Sequence, residues 1–223
     1  MLRFWVLMLF FTIMSSPYGS GYGLLQHVDR RLNRETQYNF EEPTNREYHT
    51  AMITGHRHNT ASDTAINRLI KMAIAQGVSH FYCGMALGVD QAFARILTTY
   101  PVTWTAVIPC ADQDRFWNRN QRAHYRRLLE KATKQTILQQ NYDDNCMKRR
   151  NLHMVKRSDL CLAVFNGNPH GRRSGTAMTL KMVQSANLLC YQYNPVNKQF
   201  LIIEPIPEPI QLSLFHSTKP PVC

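Results

Sequence analysis

Phe81-Tyr82-Cys83-Gly84-Met85-Ala86-Leu87-Gly88-Val89-Asp90 is the stretch whose reading decides the fold. An apolar run stops at Gly84, Gly88 follows four residues later, and a helix-like pattern starts at Asp90. A buried parallel strand ends over a ligand in this way. Glycine lets backbone come close, and the next helix turns its free N–H groups toward an anion. The spacing Gly84-x-x-x-Gly88 is not the dinucleotide fingerprint Gly-x-Gly-x-x-Gly. The stretch therefore predicts a strand–loop–helix unit without specifying a dinucleotide.

Two further stretches have the same form. Ala51-Met52-Ile53 runs into Thr54-Gly55-His56-Arg57. The run from Leu160 to Phe165 leads through Asn166 to Ser174-Gly175-Thr176 and then into a helix-like segment from Ala177. Three apolar strands that each end at glycine beside Thr, Ser, Arg or Asp predict a crevice at the carboxyl ends of parallel strands.

Around these stretches the pattern alternates. Strands are expected over 51–54, 80–83, 104–108, 136–138, 160–165 and 188–193, with helices over 64–76, 90–98, 114–134, 143–157 and 175–186. Strands separated by helices of this length imply an α/β fold, a mainly parallel sheet with helices on both faces. Residues 49–193 form that domain. A linker occupies 21–48, and a Pro-rich extended tail occupies 194–223.

Residues 1–20 carry Arg3, an apolar run from Phe4 to Met14, and Ser15-Ser16-Pro17. The run is shorter than the roughly 20 residues of a membrane span. It reads as a signal peptide, an interfacial anchor or a leader added by an upstream start. Six scattered cysteines without a Cys-x-x-Cys pair suit a reducing compartment, so the domain is expected to be cytoplasmic, with secretion or anchoring as the alternative.

The formal charge of +11 is uneven: residues 111–181 hold fifteen basic and six acidic side chains, a net +9. Such an excess suits an anionic ligand or nucleic acid, and equally a solvated basic face. No metal site is expected, because His56 and His58 with a cysteine lack a recognised zinc spacing.

Thr54, Gly55 and Arg57 offer a hydroxyl, a close backbone and a charge for phosphate oxygens, or make an ordinary strand-to-helix turn. Asp90 either caps the second helix or presents a carboxylate to a ribose hydroxyl or to general acid/base work. Ser174, Gly175 and Thr176 would form an anion cradle at a helix start, with Arg172 and Arg173 adding charge. Trp117 either stacks on a base as a pocket wall or packs its helix. Cys110 reads as an inert thiol rather than a nucleophile.

In order, Ile53-Thr54-Gly55-His56-Arg57, Gly84-Met85-Ala86-x-Gly88-x-Asp90, Ile108-Pro109-Cys110-x-x-Gln113-x-x-x-Trp117, Arg150-Asn151-x-x-Met154-Val155-x-x-Ser158-Asp159 and Gly171 to Thr176 resemble the YpsA-like proteins. That family lies in the SLOG superfamily of Rossmann-like domains, beside the Lonely Guy phosphoribohydrolases and DNA-processing protein A. The resemblance implies a Rossmann-like fold with a pocket for a nucleotide or nucleotide-derived ligand and no required cofactor. It places Thr54, Gly55 and Arg57 in the first loop, Gly84, Met85, Gly88 and Asp90 in the second, and Gly175 and Thr176 at the phosphate. It assigns no role to Arg150, Asn151, Ser158 or Asp159. The phosphoribohydrolase pattern Pro-Gly-Gly-x-Gly-Thr-x-x-Glu has Thr179 here in place of its Glu. Binding or sensing is thus the leading expectation. The alternatives are hydrolysis of an N-glycosidic bond, with Asp90 as the candidate carboxylate, and single-stranded DNA binding. A homo-oligomer is expected by analogy.

Overall fold

The computed structural model describes residues 47–58, 61–167 and 174–206. The leader and most of the linker, Arg172 and Arg173, and the tail beyond 206 lie outside the described residues.

The strands are β1 (Thr50–Gly55), β2 (His80–Cys83), β3 (Thr103–Ile108), β4 (Lys134–Ile137), β5 (Leu160–Val164), β6 (Leu189–Asn194) and β7 (Gln199–Ile203). The helices are α1 (Asp63–Ala75), α2 (Val89–Leu97), α3 (Arg119–Leu129), α4 (Cys146–Val155) and α5 (Gly175–Ser185). The strands form one sheet in the order β4-β3-β2-β1-β5-β6-β7. All pairings are parallel except β6 with β7. This is a Rossmann-like α/β fold in three layers. The order reverses between β1 and β5, which makes their carboxyl ends the topological switch point.

Side chains along the two central strands alternate between two cores, as the period-2 geometry of a strand requires. Ala51 and Ile53 of β1, with Leu160, Leu162 and Val164 of β5, join the core under α1, α2 and α3. Met52, Cys161 and Ala163 join the core holding Met154 and Val155 of α4 and Val183 of α5. Because both faces are covered, these strands read as unbroken apolar runs.

Helix limits follow from caps. Ser62 Oγ accepts from Ala65 N–H at 3.2 Å and starts α1. Asn118 and Gln121 form a capping box that starts α3 at Arg119. The helix expected from Asp114 to Lys134 is therefore shorter: residues 111–116 form turns, and the chain leaves α3 at Glu130 to enter β4.

The sheet also continues beyond the boundary expected at residue 193. Asn194 Oδ1 accepts from Val196 N–H and Asn197 Oδ1 accepts from Gln199 N–H, folding a turn that returns Gln199–Ile203 beside β6. The part of the tail from 199 to 203 is thus an edge strand of the domain. Among the described residues, no helix is long and apolar enough to cross a membrane.

Candidate functional site

The first two loops at the switch point lock onto each other. A Cβ on Gly88 would run into the backbone carbonyl of Arg57, and Gly88 has φ +90°. A Cβ on Gly55 would meet the Val89 side chain, and Val89 N–H donates to His56 O at 3.2 Å. Gly84 lies against the Arg150 guanidinium, which donates to its carbonyl. All three glycines bring backbone and side chains of the protein together, and of the three Gly55 alone also lines the cavity at the switch point.

Met85 is fully buried at φ 57°, and its carbonyl accepts from Gln113 Nε2 at 2.9 Å and Gln91 Nε2 at 3.4 Å. Gly84, Met85 and Gly88 lie behind the site rather than lining it.

A buried polar chain crosses the switch point. Asp90 Oδ2 accepts from Ala86 N–H at 3.1 Å and lies 3.7 Å from Arg150 Nη1. Arg150 Nε donates to Asn151 Oδ1 at 2.8 Å, and Asn151 Nδ2 donates to Thr179 Oγ1 at 2.7 Å. Thr179 Oγ1 then donates to the Gly175 carbonyl at 2.8 Å. The chain ties the loop after β2 to the first turn of α5 through α4. Burial pushes the Asp90 carboxyl above its ordinary pKa, against the pull of Arg150 and the Ala86 N–H.

Above this chain opens a cavity of about 660 Å³. Its walls include Thr54, Gly55, His56 and Arg57 from the first loop, Ala86 and Asp90 from the second, Met147, Arg150 and Asn151 from α4, and Ser174, Gly175 and Thr176 from α5. Ser174 caps α5 by accepting from Ala177 N–H at 3.2 Å. Gly175 differs from the other glycines, since a Cβ there would meet nothing within 4 Å. The α5 N-terminus thus presents open backbone to the cavity, the geometry in which a helix start takes an anion. Arg57 is exposed and, among the described residues, makes no ion pair. The His56 ring lies 5.6 Å from that of Phe165, with Nε2 enclosed and, among the described residues, lacking a hydrogen-bond partner.

The structure therefore brings together Thr54, Gly55, Arg57, Asp90, Ser174, Gly175 and Thr176. It adds Arg150 and Asn151, to which the sequence assigned no role, and His56. Trp117 stands apart: it packs edge-on against Tyr125, ring centroids 5.1 Å apart, and does not wall the cavity. Burial, with a hydrogen bond to Asp112, pushes the Cys110 thiol up to about 12, which leaves it protonated and inert. Among the described residues no three His, Cys, Asp or Glu side chains are grouped to hold a metal.

Compared with known families, residues 54–199 match YpsA, the YspA SLOG family. None of the curated proteins compared with the chain matches it. Among solved structures it is similar to DNA processing protein A from Streptococcus pneumoniae, with 14% identity over 66% of this chain and 50% of that one and a TM-score of 0.49. It is also similar to DNA processing protein A from Helicobacter pylori, whose structure is titled for its single-stranded DNA binding mode; identity is 17% over 66% of each chain, with a TM-score of 0.45. A third is TM1055, a structural-genomics target, with 10% identity over 64% of this chain and 72% of that one and a TM-score of 0.44. The chain spans half the length of the first of these proteins and 66% of the second.

Proposed function

The chain belongs to the YspA SLOG family, and from that premise we propose that its switch-point cavity binds a nucleotide or nucleotide-derived ligand as a sensor or binding module. The observation that carries this reading is the start of α5. Open backbone at Gly175 and the buried Thr176 hydroxyl face a cavity whose other walls supply Arg57 and Arg150. A phosphate seated there receives helix N–H groups and charge-assisted bonds from arginine. Asp90 and Asn151 line the same cavity and would accept and donate hydrogen bonds to ribose or base. Thr179, where the phosphoribohydrolase pattern has Glu, is fully buried and committed to Asn151 and Gly175. That supports binding over cleavage.

The test is native mass spectrometry and calorimetry of the purified chain with a panel of nucleoside mono-, di- and triphosphates. An intact bound nucleotide is expected, with affinity falling at least tenfold, about 1.4 kcal/mol, in Arg57→Ala. No binding across the panel overturns the reading.

Two specific observations keep the alternatives in view. Asp90 lines the cavity with a raised pKa, as a general acid requires, which supports N-glycosidic hydrolysis. Released base that disappears in Asp90→Asn, while nucleotide binding persists, would establish it. For single-stranded DNA, the Arg115 guanidinium lies 4.5 Å from the Phe116 ring centroid and 4.7 Å from that of Tyr142, and Phe116 is 86% exposed. Bases stack on such aromatic and guanidinium surfaces. Oligonucleotide affinity that falls steeply with salt and drops in Phe116→Ala would favour that reading.

A further inference from the structure

The far edge of the sheet carries a different kind of surface. In β7, Leu201, Ile202 and Ile203 are each between 44% and 47% exposed. An edge of this kind is normally blunted by lysine, proline or a bulge, because its unpaired backbone groups template further pairing. Within Gln199–Ile203 no such residue occurs.

The direction of the backbone groups left unpaired among the described residues follows from the neighbouring strands. Phe165 N–H donates to Tyr193 O at 3.0 Å, so the backbone groups of Tyr193 face β5 and those of Gln192 and Asn194 face β7. Gln192 is opposite Leu201 and Asn194 is opposite Gln199. Residues 199, 201 and 203 therefore bond to β6, and the N–H and C=O groups of Phe200 and Ile202 point outward.

The geometry points to a second copy of this chain as the partner for that edge, with β7 pairing antiparallel to β7 across a two-fold axis at Leu201. In this register Phe200 of one protomer faces Ile202 of the other, so all four outward groups of each strand are paired. Lys198, the last turn residue at φ 59°, and Glu204 are both exposed and flank the strand, so in this register the opposite charges of the two copies lie at the same ends of the shared ladder. Shifting the axis to Phe200 or Ile202 keeps the backbone bonds possible but sets Lys198 against an apolar residue and pairs neither charge. One register alone joins backbone, apolar and charge complementarity, and it is isologous as a closed dimer requires. The two sheets become one continuous sheet, with Leu201 against Leu201 on the α5 side and Phe200 against Ile202 on the α1 side. A five-residue edge is a small contact next to the roughly 1,200–2,000 Å² of a stable interface. The dimer is therefore concentration-dependent.

Sedimentation equilibrium of the full chain from micromolar to hundreds of micromolar tests this. A mass rising from 25.9 kDa toward twice that value is expected. Lys198→Glu and Glu204→Lys should each shift the dimerisation midpoint at least tenfold upward, and the double reversal should restore it. Leu201→Cys should give a covalent dimer under mild oxidation, since directly opposed residues of a non-hydrogen-bonded pair stand within disulfide reach. Ile202→Cys should not self-link. A monomer at every concentration, whether the edge stays open or is capped by the chain's own residues, overturns the proposal. So does a dimer that is indifferent to the charge reversals and does not cross-link in the Leu201→Cys variant.

Discussion

Gly175 lines the cavity and Gly88 lies behind it, and the two answer to different demands. At Gly88 a side chain has nowhere to go, because the carbonyl of Arg57 occupies the space and φ is +90°. Gly88→Ala is expected to cost about 2 kcal/mol or more in urea denaturation. At Gly175 the space is open, so Gly175→Ala should leave stability within about 1 kcal/mol while weakening nucleotide binding. Arg150 and Asp90 form the other decisive pair. Arg150→Met leaves a buried carboxylate without its counter-charge, an expected loss of about 3–5 kcal/mol near neutral pH. The sign of its pH dependence follows from the raised pKa of Asp90. Stability from this group is full below the ordinary carboxylate value and is lost as pH rises through the folded value. Removing Arg150 moves that folded value further up, so the loss in Arg150→Met should be larger at pH 8 than at pH 5. Asp90→Asn in the same background should recover most of it. Denaturation curves at the two pH values check both statements.

At the level of elements, Asp159 joins β5 to β1. Its Oδ2 accepts from Thr50 Oγ1 at 2.8 Å, Thr50 N–H at 2.9 Å and His49 N–H at 3.0 Å. Burial alone would raise its pKa, but these bonds to Thr50 and His49 outweigh it and hold the carboxyl below its ordinary value. The stabilisation is present above the ordinary carboxylate pKa and lost as pH falls through the folded value. Asp159→Asn should lower stability at pH 7 by about 1 kcal/mol, discounted for partial exposure, and flatten the acid limb of the pH–stability profile. Element type was legible in the sequence wherever burial was two-sided. β1, β3 and β5 begin and end within a residue or so of their expected limits because runs of buried, largely apolar residues mark them. β4 was less legible, since it is an edge strand with polar, exposed side chains. β7 was missed because the signal lay in turn chemistry, the asparagines at 194 and 197, ahead of the apolar run from Phe200 to Ile203.

For the whole molecule, β7 decides what β6 experiences. Tyr191 and Tyr193 of β6 are buried, and the Tyr193 ring lies 4.8 Å from that of Phe200. A chain ended after Asn194 should lose several degrees in thermal unfolding and aggregate more readily, because β6 becomes a bare apolar edge. Light scattering during a thermal ramp checks this. The switch point acts at the same scale. Its cavity collects residues from β1, α2, α4 and α5 that are far apart in the chain, yet those of the three glycine loops all lie at a carboxyl strand end or the helix start after it.

The sequence by itself determined the α/β alternation, the parallel sheet and the loops at which Thr54, Arg57, Asp90 and Ser174–Thr176 meet. Hydrophobic period and glycine position are local properties, and they survive being read in one dimension. Only the tertiary structure decided which glycines border the open cavity and which pack against the protein, that Trp117 packs on Tyr125, and that Arg150 and Asn151 link Asp90 to α5. It also decided that residues 199–203 complete the sheet. Each of these depends on what a residue meets across a turn, a neighbouring strand or a packed helix. Such contacts follow from strand order and helix packing, which no local pattern encodes.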